Sequence, residues 1–208
     1  ELNKPFIMKS TFRIFLILLI SISLLNCASF SAKNFKNDYT SINPGNLHSF
    51  DGKFSFSPIK KFDKKTEHSN IDNLKKYINL YHFITNESLK FNDIDSILNG
   101  RVNYQIELKI ITDKEVNVEL FKNNQSIKKQ QIKGELKKDG MFYLDNKFLK
   151  CTGIPYLFGG CQNNKRRIAI SNTNNLIVNE ALDNTGALLF LFWAGQSYNS
   201  AYEFQRLE

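Results

Sequence analysis

The chain reads as a mainly β protein: an antiparallel meander of about nine short strands, with one helix after the first, closed into a barrel or folded as a β-sandwich. Three observations predict this. From Arg101 onward the chain alternates with period two: Val102, Tyr104, Ile106, Leu108 and Ile110 are set against Arg101, Asn103, Gln105, Glu107 and Lys109, the pattern of a strand with one face buried. Runs of this kind are separated by turn signals, Asp113-Lys114, Asn123-Asn124 and Lys138-Asp139-Gly140, and such a meander removes its exposed edges by closing or by packing two sheets. Finally, 42% hydrophobic and 13% aromatic residues, with 18 Phe, supply a packed core rather than a disordered chain.

The N-terminal end is an address. Residues 1–7 precede Met8 and are set aside from the fold. Met8, Lys9 and Arg13 form a basic start, and residues 14–25 (IFLILLISISLL) form an apolar stretch, so 8–26 reads as a secretory signal peptide. Twelve residues at about 1.5 Å each reach roughly 18 Å, too short for a hydrocarbon core of about 30 Å. Leu24-Leu25-Asn26-Cys27, followed by Ala28 and Ser29, resembles the lipobox of bacterial lipoproteins, with Leu25 and Asn26 bulkier than that family's usual residues. The resemblance implies cleavage before Cys27, a diacylglycerol on its thiol and acylation of its amine. Several acyl chains anchor a protein stably where one binds only marginally, so the expectation is an exported protein held on the outer membrane, at its periplasmic face or the cell surface.

From Cys27, 182 of the 208 residues remain, enough for one domain. Residues 27–47, rich in Ser, Asn and Lys with Pro44-Gly45, read as a lipidated tether, and 48–208 as a single β-rich domain. Loss of Lys4, Lys9, Arg13 and Glu1 with the leader lowers the formal charge from +8 to +6. The basic groups, Lys60-Lys61, Lys64-Lys65, Lys128-Lys129, Lys137-Lys138 and Lys165-Arg166-Arg167, are scattered and read as solvated strand edges and turns. Nucleic acid is thereby excluded as a partner, leaving a weak pull toward anionic headgroups. Cys151 and Cys161 are exported together on a short loop and are expected to pair, which stabilises by about 2.5 kcal/mol on chain-entropy arithmetic.

Element by element, residues 50–56 form the first strand, with Phe50, Gly52, Phe54 and Phe56 on one face, ended by Pro58. Ser69 caps a helix whose stripe is Ile71, Leu74, Ile78 and Tyr81, with His82 near its end. Strands follow at 101–110, 116–120 and 125–136, and then at 142–148, where Asn146 breaks the inward row of Phe142, Leu144 and Phe148. The loop 151–161 carries Gly153, Pro155, Gly159 and Gly160, and strands resume at 167–171 and 176–182. Residues 187–194 (ALLFLFWA) read as a core strand rather than a membrane-dipping segment. A last strand carries Tyr202, Phe204 and Arg206.

This order is similar to that of lipocalin-like (calycin) barrels. That family carries Gly-x-Trp on its first strand, here Gly52-Lys53-Phe54 with Phe for Trp. The resemblance implies an arginine from a late strand over the aromatic ring, and Arg206 is placed to supply it.

Catalytic signatures are sparse. Residues 153–160 resemble the Gly-x-Pro-Tyr-x-Trp-Gly-Gly stretch of a family of cell-wall peptidases, but Cys161 is followed by Gln162 and no histidine lies beyond His82, so the nucleophile and its base are missing. His48, His68 and His82 lack metal-ligand spacing. Glu107 and Glu119 lie on the polar faces of neighbouring strands, where lysine partners explain them. The expectation is therefore a non-enzymatic lipoprotein with no cofactor and no metal. Two roles compete: binding of a small hydrophobic ligand or lipid in the barrel, lined by Val102, Tyr104, Ile106, Val118, Phe142 and Phe190, and a structural or protein-interaction role with a filled barrel.

Overall fold

A computed structural model describes residues 29–62, 78–89, 95–97, 99–154, 158–188 and 192–208. Within them the chain forms β1 (Tyr39–Thr40), a 3-10 helix (Pro44–Phe50), β2 (Gly52–Ser55), β3 (Lys60–Lys61), α1 (Leu80–Thr85), β4 (Tyr104–Thr112), β5 (Glu115–Lys122), β6 (Gln125–Leu136), β7 (Phe142–Ile154), β8 (Phe158–Ser171), β9 (Leu176–Leu188) and β10 (Phe192–Phe204). The expected signal peptide and Cys27 lie outside the described residues.

The sheet follows from the alternation. In β4, Tyr104, Ile106, Leu108 and Ile110 are buried, and β5 buries Val116, Val118 and Leu120 directly opposite them. From β4 to β10 each strand pairs antiparallel with the next, as expected of a meander. The ends meet. β2 pairs with β4, while β3 pairs with β10 and Phe54 bridges to Arg206. Backbone hydrogen bonds from Ser55 N to Gln205 O and from Leu207 N to Lys53 O complete this seam, so the mainly β sheet curls round on itself.

Phe54 at this seam lies under Arg206, whose guanidinium carbon is 4.7 Å from the ring centroid and which donates to the carbonyls of Ser49 and Asp51. Gly52 is required there twice over. Its φ is +149°, and a Cβ would clash with Arg206 Nη1 and with the carbonyl oxygen of Glu208. The arrangement implied by the Gly-x-aromatic resemblance is thus present. The first strand is shorter than read, because Phe50 ends the 3-10 helix; Phe50, Phe54 and Phe56 are buried nonetheless.

The ring is loosest between β6 and β7, which pair only over Gly134–Leu136 and Phe142–Leu144. α1 packs against both strands. The predicted helix from Ser69 through Tyr81 falls mostly outside the described residues, and its described end differs. Asn79 is extended (φ −141°, ψ 148°) and its side chain caps α1 through His82 N, so Ile78 precedes the helix instead of continuing its stripe.

Residues 29–47 are no tether. Phe35 is buried with Phe62, Met141, Ala169, Ile177 and Ala201 on the outer face of β8–β10, β1 pairs with β8, and Ile42 and Leu47 join the interior. The folded unit therefore starts before residue 48, since four apolar side chains within 35–50 are covered by it.

The last four strands are long. Residues 151–154 and 158–161, read as parts of a loop, are ladder: the cysteines face each other across β7 and β8 and form a disulfide. Of residues 187–194, read as one core strand, 187–188 end β9 and 192–194 begin β10, while 189–191 lie outside the described residues. Alternation cannot distinguish a strand from a hairpin end when both sides of the turn are apolar.

Candidate functional site

The expected ligand-lining residues come together, but in a packed interior. Tyr104, Ile106, Val118 and Phe142 are between 0% and 4% exposed and belong to one cluster with Phe50, Phe54 and Phe204. Val102 packs at its margin, and Phe190 lies outside the described residues. α1 adds Leu80, Tyr81, Phe83 and Ile84, all buried. Ring pairs join these elements: Phe56 with Tyr104 at 5.4 Å, Phe50 with Phe142 at 6.3 Å and Phe83 with Tyr202 at 5.4 Å. Such contacts add to area burial. The predicted lining is filled by its own neighbours.

The interior also carries a polar network that the sequence reading assigned to solvent. Arg166 is 3% exposed. Its Nε donates to Glu180 Oε1 at 2.9 Å and its Nη1 to the carbonyls of His82 and Phe83 and to Asn86 Oδ1. It therefore caps the last turn of α1 with positive charge, where the helix dipole favours it. Asn146 Nδ2 donates to Phe83 O and Ile84 O, and Asn86 Nδ2 returns a bond to Asn146 O. Asn146 breaks the inward row because β7 bulges there, spending the steps from Leu144 to Phe148 while β8 moves only from Arg166 to Asn164. The missed signal was positional. Arg166 shares the inward register of Ile168 and Ile170, and an arginine in an apolar row needs an anion opposite it, here Glu180.

Burial drives the Arg166 guanidinium downward, opposed by Glu180. Burial and Arg166 hold the His82 imidazole below its usual range. At the other end of α1, Tyr81 donates to Glu87 and receives a bond from Gln130. Hydrogen bonds from Lys128 and Tyr81 hold the Glu87 carboxyl below the ordinary range.

Arg167 faces outward and is also buried. It donates to Asp139, Tyr143 and Asn179, with the Phe30 ring 4.6 Å from its guanidinium carbon. Of the basic triplet read as solvated, two members are thus interior to the packed structure. Beside them, a groove of about 550 Å³ opens where β6 and β7 part, lined by Phe30, Tyr143 and Leu144 together with charges of both signs. Its volume suits a small ligand, but Lys137 and Arg166 on its wall are already paired with Glu135 and Glu180.

Among the described residues, groups capable of chemistry do not converge. Glu107 and Glu119 are directly opposite on β4 and β5, and Glu119 accepts from Ser126 and pairs with Lys129. His48 bonds Asp51 at the surface, while His82 sits on α1. Among the described residues no three His, Cys, Asp or Glu side chains form a metal-binding group, and no described helix is long and apolar enough to cross a membrane.

These features define a curled antiparallel barrel with a filled interior and a long four-stranded extension. No family model, no curated protein and no solved structure matches the chain.

Proposed function

We propose that this chain is an exported lipoprotein, held on the outer membrane through lipid on Cys27, that serves without catalysis as a structural or protein-binding component of the cell envelope. The observation that carries the reading is the filled interior. Tyr104, Ile106, Val118 and Phe142 are covered by α1 and by one another, so the residues expected to line a guest's cavity have side-chain partners already. The location rests on the basic start, the twelve-residue apolar stretch and Cys27 directly after it. The Cys151–Cys161 disulfide suits an oxidising compartment.

Native mass spectrometry of the exported protein tests the choice between a filled barrel and a carrier. The expected spectrum is the bare chain, unchanged after incubation with a total lipid extract. A discrete extra mass that leaves on denaturation and partitions into organic solvent would restore the lipid-carrier reading.

A further inference from the structure

We propose that the open edge of β6, from Gln125 to Lys133, binds an extended, acidic segment of another protein as an added strand. This edge gives the protein-binding reading, on which it rests, a surface and a partner chemistry.

β6 is paired unequally on its two sides. Toward β5 it is held from Gln125 to Lys133, whereas toward β7 it is held only over Gly134–Leu136. Alternation fixes which backbone groups are left over. Gly134 N donates to Lys114 O and Leu136 N to Asp113 O, so these two residues face the β5 side. Successive residues of a strand present their N–H and C=O to opposite neighbours. Between Lys128 and Lys133 the register with β5 runs without a shift, so Lys129, Gln131 and Lys133 turn theirs away from it. No described strand lies there to receive these three donors and three acceptors, and all three residues are exposed. α1 does not take up the edge in any described bond. It meets β7 at the backbone, with Asn146 Nδ2 on the carbonyls of Phe83 and Ile84 and Asn86 Nδ2 on Asn146 O. Its described hydrogen bonds to β6 run between side chains: Gln130 to Tyr81, and Lys128 to Glu87 just past the helix end. A row of unanswered backbone groups on an exposed edge is a template for another strand.

Charge selects the occupant. Residues 125–133 (QSIKKQQIK) carry Lys128, Lys129 and Lys133 and no acidic side chain. Lys128 and Lys129 are answered by Glu87 and Glu119. The adjoining groove of about 550 Å³ is lined by five basic side chains against three acidic ones, and of these Lys114 and Lys133 have no carboxylate partner among the described residues. An added strand with acidic side chains toward the groove would meet both lysines, and opposite charges on neighbouring strands are favourable. A second copy docking through the same edge would set lysine against lysine, which is unfavourable. A bilayer would leave the backbone row without partners, a costly state in hydrocarbon.

The test uses residues 27–208 with Cys27→Ser, exported behind a separate cleavable leader, and follows single amides by NMR hydrogen exchange. The probe is a synthetic peptide of about eight residues alternating Glu and Val, with both ends blocked; its control carries Lys for Glu. In the free chain the amides of Lys129, Gln131 and Lys133 are expected to exchange fast, while those of Gln130 and Ile132 are protected by β5. The acidic probe is expected to slow the three fast amides and leave the other two unchanged. The Lys control should bind about tenfold more weakly, by a margin that shrinks with salt. Gln131→Pro removes the middle outward N–H, which β5 does not use, and edge positions accept proline; it should weaken the acidic probe about tenfold. Lys133→Glu, an exposed change, should weaken it roughly threefold with an unchanged melting curve, so a poorly folding proline variant does not stall the test. Slow exchange at the three amides in the dilute free chain would show the edge occupied by the chain itself, and protection that rises with protein concentration would show a second copy there. No slowing at saturating probe, or equal affinity for the two peptides, would remove the acidic partner. Each of these results overturns the proposal. A bound lipid in the native mass spectrum would end the filled-barrel reading without touching these amides, so the two can fail separately.

Discussion

β4–β6 and β7–β10 are made of the same kinds of residue but are covered differently. β4 and β5 have one face on the interior and one toward solvent, as in Leu108 and Ile110 against the exposed Lys109. At the base of β7–β10 both faces are covered, the inner by the main cluster and the outer by Phe35, Phe62 and Met141. Adjacent Arg166 and Arg167 point to opposite faces, and both are buried. Further out the same strands lose the inner cover at Asn184 and Gln196. Strand polarity thus reports burial only where one face meets water; elsewhere it reports which partner each polar group has been given.

Removing Arg166 should produce the largest effect. Arg166→Ala removes the charged donor of Glu180 and of the carbonyls of His82 and Phe83, leaving Glu180 with only the neutral Asn164 amide as donor, and breaking a buried pair costs about 3–5 kcal/mol. Urea denaturation should show a loss of that size. Lys128→Ala, which removes from β6 an exposed partner of Glu87, should cost far less, because solvent screens both charges of that pair. Similar losses for both would mean that Arg166 is as well solvated as Lys128 and would erase the contrast between the two regions.

This contrast also marks what the sequence could tell. The meander, the burial of Tyr104, Ile106, Val118 and Phe142, the Cys151–Cys161 pair and the Arg206–Phe54 contact were legible, because each depends on period-two alternation, compartment chemistry or a local motif. The packing of residues 29–47 was not. Ser, Asn and Lys around Phe35 resemble a solvated stretch until the outer face of β8–β10 supplies Ala169, Ile177 and Ala201 to receive that ring. Arg166 was misread for the same reason: its partners Glu180 and Phe83 are 14 and 83 residues away. For the candidate site, Tyr104, Ile106, Val118 and Phe142 were identified correctly as inward-facing, but whether they enclose a space depended on α1, which no strand pattern places.

The disulfide sharpens the comparison along the extension itself. Cys151→Ser with Cys161→Ser should lower global stability by at most about 2.5 kcal/mol, the chain-entropy value for a loop of this length. Because the bridge lies beyond an exposed polar collar of Lys150, Gln162, Asn184 and Gln196, a larger share of the change should appear locally. Hydrogen exchange should accelerate around 150–162 and 184–196 while β4 and β5 keep their protection. Uniform acceleration through β4 and β5 would show that the far end and the barrel unfold as one unit, and that the collar is no boundary.

The smallest effect should lie at α1, where the two regions meet. Burial first, and the charge of Arg166 second, lower the His82 value from 6.5. Its Nδ1 meets Glu87 O at 3.3 Å, so the neutral ring donates there. A histidine depressed in this way contributes stability that is complete above the unfolded value of about 6.5 and is lost as pH falls through the lower folded value. Glu87 is depressed as well, by its hydrogen bonds to Lys128 and Tyr81, but its contribution is lost only below its ordinary value of 4.5. The melting temperature should therefore decline on acidification from pH about 7 to 5, and His82→Gln should flatten that part of the curve while leaving the steeper fall at lower pH. Parallel curves for the variant and the native chain would place His82 in water, and α1 would then no longer be the element that fills the gap between β6 and β7.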